Sequence, residues 1–363
     1  MEIEIVSVPF NSTGRSGGAA AAPAALHAQG LVGRVREALP AGWTPVEPAP
    51  VTAGERSLTR NSESGLLNEG ALVAMIDGVA DAVAKSQLAG RLPLLLGGDG
   101  PVLLGGLVAA GHRPEGPTGL LAFCGRECAW PPSTSRTGEA ADCTIGLALV
   151  ARTNAALSGG LSRRLPLLAP QAVALLGPRD AAELAAAGIP SLAGSIIVHS
   201  DGELTAGSPL RAGAVTTERA TEQGPHRPAV APAVVGRHAT EAIEHIRRTT
   251  TSWWLHVDLD VLSTEALPAV AHPRPGGLTW DQLTALTRSA LAAPGLIGWS
   301  VTNYDADLDL ERTSAARIVD YLLASVGALP TSLARPPAAE EEPPVTPEAR
   351  PAPEPEPQAV PSP

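Results

Sequence analysis

The chain contains little of what several protein classes require. Of its 363 residues only three are cysteines, Cys124, Cys128 and Cys143, too few and too clustered for the disulfide framework of a secreted domain. Its 26 Lys and Arg are outnumbered by 37 Asp and Glu, and this acidic balance argues against a nucleic-acid partner. No apolar run reaches the roughly 18–20 residues of a membrane span, and the N-terminus lacks the pattern of an export signal. We therefore expect a globular cytoplasmic protein.

Seven short apolar runs alternate with Ala/Leu-rich segments of helical spacing. The runs are EIEIVSVPF, RLPLLLGGDG, TGLLAFCG, AVALLGPRD, GSIIVHS, SWWLHVDLDVL and GLIGWSVTNYD. This alternation predicts a parallel sheet covered by helices on both faces. Ligands bind at the carboxyl ends of the strands in such sheets, so residues 97–100, 124–128 and 258–260 are the first candidates for a site.

The end of the chain has a different composition. Residues 331–363 are dense in Pro, Glu and Ala and have almost no large apolar side chain, so burial cannot repay the entropy of ordering them. We predict one α/β domain over residues 1–330, followed by a disordered acidic tail whose main effect is on solubility.

Four stretches together resemble the arginase, agmatinase and formiminoglutamase family of ureohydrolases. They are VPFNSTGRSGGAAAAPAAL, LLLGGDGPVLLG, SRTGEAADCTIGLAL and WLHVDLDVLSTEALPAVAHPRPGGLTWDQL. The resemblance implies a three-layer α-β-α fold with a mostly parallel eight-stranded sheet. It also implies assembly into trimers or hexamers; a hetero-oligomer with an active relative is the alternative.

The resemblance also implies a metal centre, and this chain departs from it. In the family two Mn²⁺ ions share a hydroxide that attacks a guanidinium or amidino carbon. Six ligands come from a His after GGD, from D-x-H-x-D and from D-x-D. The corresponding positions here are Gly100, Cys124, Arg126, Cys128, Asp258 and Asp260. Asp258 and Asp260 alone retain a ligand of the expected type, and they are the metal ligands we expect if any metal binds.

Four further residues are candidates for the pocket. Asp99 is interpreted as a turn residue that binds backbone amides. His256 shares a strand face with Asp258 and is interpreted as a hydrogen-bonded histidine beside or beneath the site. His272 lies in the loop over the presumed pocket. Asn303 stands where the arginases hold guanidinium substrates with a Glu, and TGEAADCTIG lacks the proton-shuttling His that many arginases carry there.

Three physical accounts explain the sequence FCGREC at positions 123–128. In the first, Arg126 supplies the positive charge of the missing manganese pair and points at Asp258 and Asp260. In the second, Cys124 and Cys128 bind Zn²⁺ together with those carboxylates. In the third, the thiols fill the core or are redox-active, or one of them acts as a nucleophile. No histidine base stands beside them in the sequence for that last role.

The changed ligand set favours a non-catalytic pseudoenzyme with a binding, scaffolding or regulatory role and no confidently assigned catalytic residue. The alternative is an active hydrolase of guanidino or amidino C–N bonds that uses manganese or a different metal such as zinc.

Overall fold

The computed structural model describes residues 1–149, 157–165, 167–210 and 230–331. Of the predicted tail it includes Thr331 alone, so the prediction for residues 332–363 lies outside the described residues. No helix in these ranges is long and apolar enough to cross a membrane.

Eight strands form one sheet in which every described pairing is parallel, in the order β2-β1-β3-β8-β7-β4-β5-β6. The strands are β1 (Glu2–Ser7), β2 (Thr44–Val46), β3 (Leu92–Leu96), β4 (Thr118–Phe123), β5 (Val173–Leu176), β6 (Ile197–His199), β7 (Ser252–Asp258) and β8 (Leu296–Thr302). Seven of them coincide with the apolar runs of the sequence. The predicted fold class is confirmed.

Helices cover both faces of the sheet. The helices are α1 (Ala22–His27), α2 (Leu31–Ala38), α3 (Glu69–Leu88), α4 (Val102–Gly111), α5 (Thr144–Ala148), α6 (Gly159–Ser162), α7 (Ala181–Ala186), α8 (Asp201–Ala206), α9 (Pro232–Ile246), α10 (Trp280–Ala292) and α11 (Thr313–Val326). Apolar positions decide which face each helix covers. In α3 the buried Leu72, Met75, Ile76, Val79 and Val83 recur at helical spacing, so one side of the helix faces the sheet.

The core has two halves, one on each face of the sheet. Along β7, Trp253, Leu255 and Val257 belong to the half that contains α9, α10 and α11, whereas Trp254 belongs to the half that contains α3 and α4. This alternation follows from the two-residue period of a strand. His256 and Asp258 therefore point to the α3 and α4 side, as the sequence pattern predicts.

Tight packing at the end of β3 requires glycine. Gly98 has φ +71°, and a Cβ there would lie 2.8 Å from the Val8 carbonyl oxygen. A side chain is thus excluded both by the left-handed backbone and by the neighbouring chain. This close approach places residues 98–100 against the other strand ends.

Candidate functional site

The carboxyl ends of β4 and β7 lie side by side. Phe123 pairs with Val257, so the next residues, Cys124 and Asp258, emerge next to each other at the edge of the sheet. A 3-10 turn over Leu259–Val261 then brings Asp260 back toward β4, where the Gly125 N–H donates to Asp260 Oδ1 at 2.7 Å. These contacts join two of the predicted ligand segments, residues 124–128 and 258–260.

Arg126 is buried between two carboxylates. Its Nε donates to Asp260 Oδ2 at 3.3 Å, and its Nη1 donates to Asp142 Oδ1 at 2.9 Å. All three residues are less than a tenth exposed. Ser135 and Thr137 donate their hydroxyl protons to the second Asp142 oxygen. The guanidinium thus reaches one member of the predicted carboxylate pair directly, and its second partner is Asp142.

Asp258 has a different set of partners. Its Oδ1 accepts the Asp260 backbone N–H at 3.0 Å, and its Oδ2 accepts a hydrogen bond from Asn303 Nδ2. Asn303 has φ 66°, in the left-handed region that Asn tolerates better than most residues, and its own N–H donates to the Gly98 carbonyl. Asn303 therefore contacts one member of the predicted carboxylate pair.

Gly100 faces the same cluster. A Cβ at this position would lie 3.7 Å from Asp258 Oδ2 and 3.2 Å from Thr144 Oγ1. A side chain at position 100 would thus point at Asp258. This is the direction that the sequence resemblance predicts for a ligand after GGD. Thr144 takes up part of the space that such a side chain needs.

His256 and Asp99 occupy the surroundings of the cluster. His256 is 1% exposed, and its Nδ1 lies 2.9 Å from Ser300 Oγ. Asp99 Oδ2 accepts the Ser12 backbone N–H at 2.7 Å, the interaction expected of a turn residue. Its other oxygen, Oδ1, is buried and has no hydrogen-bond partner within the described part of the chain.

A cavity of about 140 Å³ opens beside Arg126, and Cys128, Asp142, His272 and Arg274 contribute to its lining. His272 is therefore near the site, in the loop position expected from the sequence. Cys128 has φ 47°, an uncommon conformation for a residue with a side chain. Backbone conformations of this kind are concentrated at functional sites.

Burial and charge set the protonation states of the cluster. Burial, reinforced by Asp260, raises the pKa of Asp258 well above its usual range. Burial acts in the same direction on Asp260, but Arg126 and the Gly125 amide outweigh it and lower its pKa. Burial also raises the pKa of the Cys124 and Cys128 thiols. Within the carboxylate pair, the ionised form is thus favoured at Asp260 and the protonated form at Asp258.

Burial lowers the pKa of His256 to about 4, so its imidazole is neutral at physiological pH. The Asp142 carboxylate is ionised, because Arg126 and the hydroxyls of Thr137 and Ser135 together lower its pKa against the effect of burial. The site thus has one buried cation, Arg126, held between two buried anions.

Sequence reasoning missed three residues that complete the site. Asp142 is the second anion at Arg126, and Asp180 accepts the Glu127 N–H with both oxygens. Arg179 donates to the carbonyls of Asp260 and Leu262 and fixes the turn after β7. A signal existed for Asp142, because a buried Arg needs counterions and TGEAADCTIG contains an acidic residue among apolar ones.

Among the described residues, one group of His, Cys and acidic side chains brings three metal-binding atoms close together. It consists of Cys124, His256 and Asp258, whose ligand atoms all lie within 4.8 Å of one another. The group differs from the sequence-based zinc hypothesis, because His256 takes part and Cys128 and Asp260 do not.

Comparison with known proteins identifies the class. The family model for the arginase family matches residues 228–326, which contain the D-x-D segment. Similar folds are found in solved structures of arginase from Bacillus caldovelox (20% identity, TM-score 0.66, 90% of this chain and 98% of that chain) and arginase from Bacillus cereus (18%, 0.66, 90% and 99%). Formimidoylglutamase from Bacillus subtilis is also similar (15%, 0.59, 90% and 86%). No curated protein sequence matches the chain.

The fold is thus the arginase-like α/β fold. Residues 228–326 match the arginase family model, and this match and the fold both agree with the resemblance seen in the sequence motifs. At 15–20% identity the solved structures establish the fold and not the reaction.

Proposed function

We propose that this protein is a non-catalytic member of the arginase family in which a buried arginine replaces the charge of the binuclear manganese centre. The observation that carries this proposal is the ion-pair network of Arg126 with Asp260 and Asp142, at 3.3 and 2.9 Å. Arg126 stands at a position where the family has a metal-binding histidine.

The residues present do not suit two Mn²⁺ ions. Hard cations of this kind take carboxylate and imidazole ligands, but four of the six family positions hold Gly100, Cys124, Arg126 and Cys128. Asp260 is already engaged by Arg126 and by the Gly125 amide.

Arg126 gives the cluster its neutralising charge without an ion. Two adjacent buried carboxylates are unstable when both are ionised and unpaired. Here Asp260 is paired with the guanidinium, and burial raises the pKa of Asp258, which favours its protonated form when no ion is bound. The fold of the strand ends then does not require the metal pair, and this is the condition for a protein of this family to persist without catalysis.

A binding or regulatory role is consistent with the cavity beside Arg126. The cavity is about 140 Å³ and is lined by charged groups of both signs, among them Arg136, Glu183 and Arg274. Such a lining suits a small polar ligand rather than an apolar one. Assembly with copies of itself or with an active relative is part of the proposal and follows from the family resemblance.

The test is metal content and activity of protein expressed with both manganese and zinc and purified without chelator. We expect fewer than ~0.1 Mn per chain and no urea release from guanidino compounds. About two Mn per chain, the stoichiometry of a binuclear site, together with urea release would contradict the proposal. That result would favour the alternative, an active ureohydrolase.

A restored site provides the positive control. The changes Gly100→His, Cys124→Asp, Arg126→His and Cys128→Asp reinstate the family ligands, and Thr144→Ala adds the room that a side chain at position 100 needs. Manganese binding by this variant but not by the native chain would attribute the difference to these positions. If the native chain and the restored variant both bind two Mn, Arg126 does not prevent manganese binding.

A further inference from the structure

The strand register brings a second, smaller set of metal-binding groups together just below the carboxylate pair. Ala122 pairs with His256, and His256 pairs with Ser300; one step further along, Asp258 pairs with Thr302. Paired residues of parallel strands point to the same face of the sheet. Cys124, His256 and Asp258 therefore share one face, and each is 1% exposed.

We infer that Cys124, His256 and Asp258 form a mononuclear zinc site, structural in role, which uses two of the positions that correspond to family ligands, Cys124 and Asp258, and adds His256. The three ligand atoms lie within 4.8 Å of one another. Zinc bonds of about 2.0–2.3 Å in a tetrahedral site put ligand atoms roughly 3.3–3.8 Å apart, so closure needs side-chain shifts of about 1 Å.

Neighbouring groups already hold two of these ligands in fixed orientations. Ser300 Oγ lies 2.9 Å from His256 Nδ1, which leaves the other ring nitrogen, Nε2, for the ion. Asp258 is held by the Asp260 amide and by Asn303. Hydrogen bonds of this kind, made by metal ligands to the residues behind them, orient the ligands and are typical of zinc sites.

An independent observation is the hydroxyl of Thr302. Thr302 pairs with Asp258 and is 1% exposed, but its Oγ1 has no hydrogen-bond partner within the described part of the chain. A buried hydroxyl without a partner costs free energy, so a native structure normally supplies one. A zinc-bound water, as the fourth ligand, would be that partner.

Charge and donor type favour zinc in this group. One thiolate and one carboxylate neutralise a dication, and a ligand set of sulfur, imidazole and oxygen suits Zn²⁺ better than Mn²⁺. The Arg126 guanidinium donates to Asp260 and Asp142, both anionic, so two carboxylates offset its charge beside the three ligands.

The experiment measures zinc by plasma mass spectrometry and by competition with a chromophoric chelator. We expect about one zinc per chain in the native protein. Cys124→Ser and His256→Ala should each weaken zinc binding by at least about 100-fold, the upper end of the effect of mutating residues that merely orient a ligand. Cys143→Ser removes another buried thiol and should retain the zinc. Cys128→Ser should also retain the zinc, whereas a site built from Cys124 and Cys128 would lose zinc on this change.

Refolding the native protein with Co²⁺ tests the site without depending on variants that fail to fold. A thiolate-to-cobalt charge-transfer band is expected, and it should persist in Cys143→Ser. Folded native protein without zinc, or zinc retained in folded Cys124→Ser, would overturn the inference. Loss of zinc in Cys128→Ser with retention in His256→Ala would also overturn it, in favour of the two-thiol site.

The outcomes separate this inference from the proposed function. One zinc per chain without urea release supports both, and folded protein without metal contradicts the zinc site alone. Two manganese ions per chain contradict both. One zinc per chain with urea release from guanidino compounds contradicts the proposed function and the purely structural role of the ion.

Discussion

At the scale of single residues, two buried ion pairs account for the arginine that lies between two cysteines after the end of β4. Arg126 is 7% exposed and has two carboxylate partners, Asp260 and Asp142. Removing one partner of a buried ion pair is costly because the other charge stays buried without compensation. Burial raises the pKa of the two cysteine thiols that flank Arg126 in FCGREC.

Arg126→Met should lower the free energy of unfolding by about 3–5 kcal/mol, because it leaves Asp260 and Asp142 without their cation. Urea unfolding measures the change. Arg126→Lys should recover part of the loss, since a single ammonium cannot reproduce the forked geometry of the guanidinium. Arg34 pairs with Asp320 at the surface, so Arg34→Met is the matched control and should cost no more than about 1 kcal/mol. An equal loss in both variants would refute a special role for the buried network.

At the scale of elements, the site depends on how closely the turn after β4 approaches the turn after β7. A Cβ on Gly125 would lie 2.4 Å from the Asp260 carbonyl oxygen and 2.5 Å from Arg179 Nη1. The same glycine donates its N–H to Asp260. Only a residue without a side chain lets the two turns exchange these contacts, so the FCGREC segment is positioned by Gly125 as much as by its charged residue.

Gly125→Ala should destabilise the protein by about 2–3 kcal/mol, because the added methyl group forces the two turns apart. Gly33 lies in α2, where a Cβ would meet no atom within 4 Å, so Gly33→Ala should instead stabilise by about 0.5–1 kcal/mol. Thermal and urea unfolding of the two variants provide the comparison. A neutral Gly125→Ala would mean that the turns separate without cost.

The sequence predicted most elements because each buried strand is a short apolar run between helices of clear periodicity. It missed β2, since Thr44–Val46 is an edge strand of three residues that contains a proline and has too little apolar character to be recognised. The predicted ends of β7 and β4 indicated where Asp258 and Cys124 lie. Asp142 was missed because its contact with Arg126 comes from the folding of an irregular loop, which has no periodicity to read.

At the scale of the whole molecule, several acidic residues are buried beneath the carboxyl edge of the sheet. Burial raises the pKa of Asp99 to about 7 and that of Asp180 to about 6, and it also raises that of Asp258 well above its usual range. The acids paired with Arg126 are affected in the opposite direction, since Asp260 and Asp142 have lowered pKa values. Protonation therefore influences stability in two separate ranges of pH.

The sign follows from which state holds the proton more tightly. Between about pH 4 and pH 7 the unfolded chain has lost the proton of Asp99 while the folded protein retains it, so stability falls as pH rises. For Asp99, whose pKa rises from 3.8 to about 7, the change is on the order of 4 kcal/mol across that range. Asp260 and Asp142 contribute stability that is present above their unfolded pKa, near 4, and is lost only at lower pH.

We therefore expect the free energy of unfolding to be greatest near pH 4–5 and to decrease toward pH 7, the reverse of the usual trend over this range. Asp99→Asn keeps an acceptor for the Ser12 amide and removes one titration, so it should reduce the decrease by on the order of 4 kcal/mol, while Asp180 and Asp258 continue to contribute to it. Glu37→Gln, an exposed change on α2, should leave the profile unaltered. Urea unfolding from pH 4 to pH 8, with trace metals chelated, tests this directly. If Asp99→Asn follows the native profile throughout, Asp99 is ionised in the folded protein, and a cation or water must then partner its buried Oδ1.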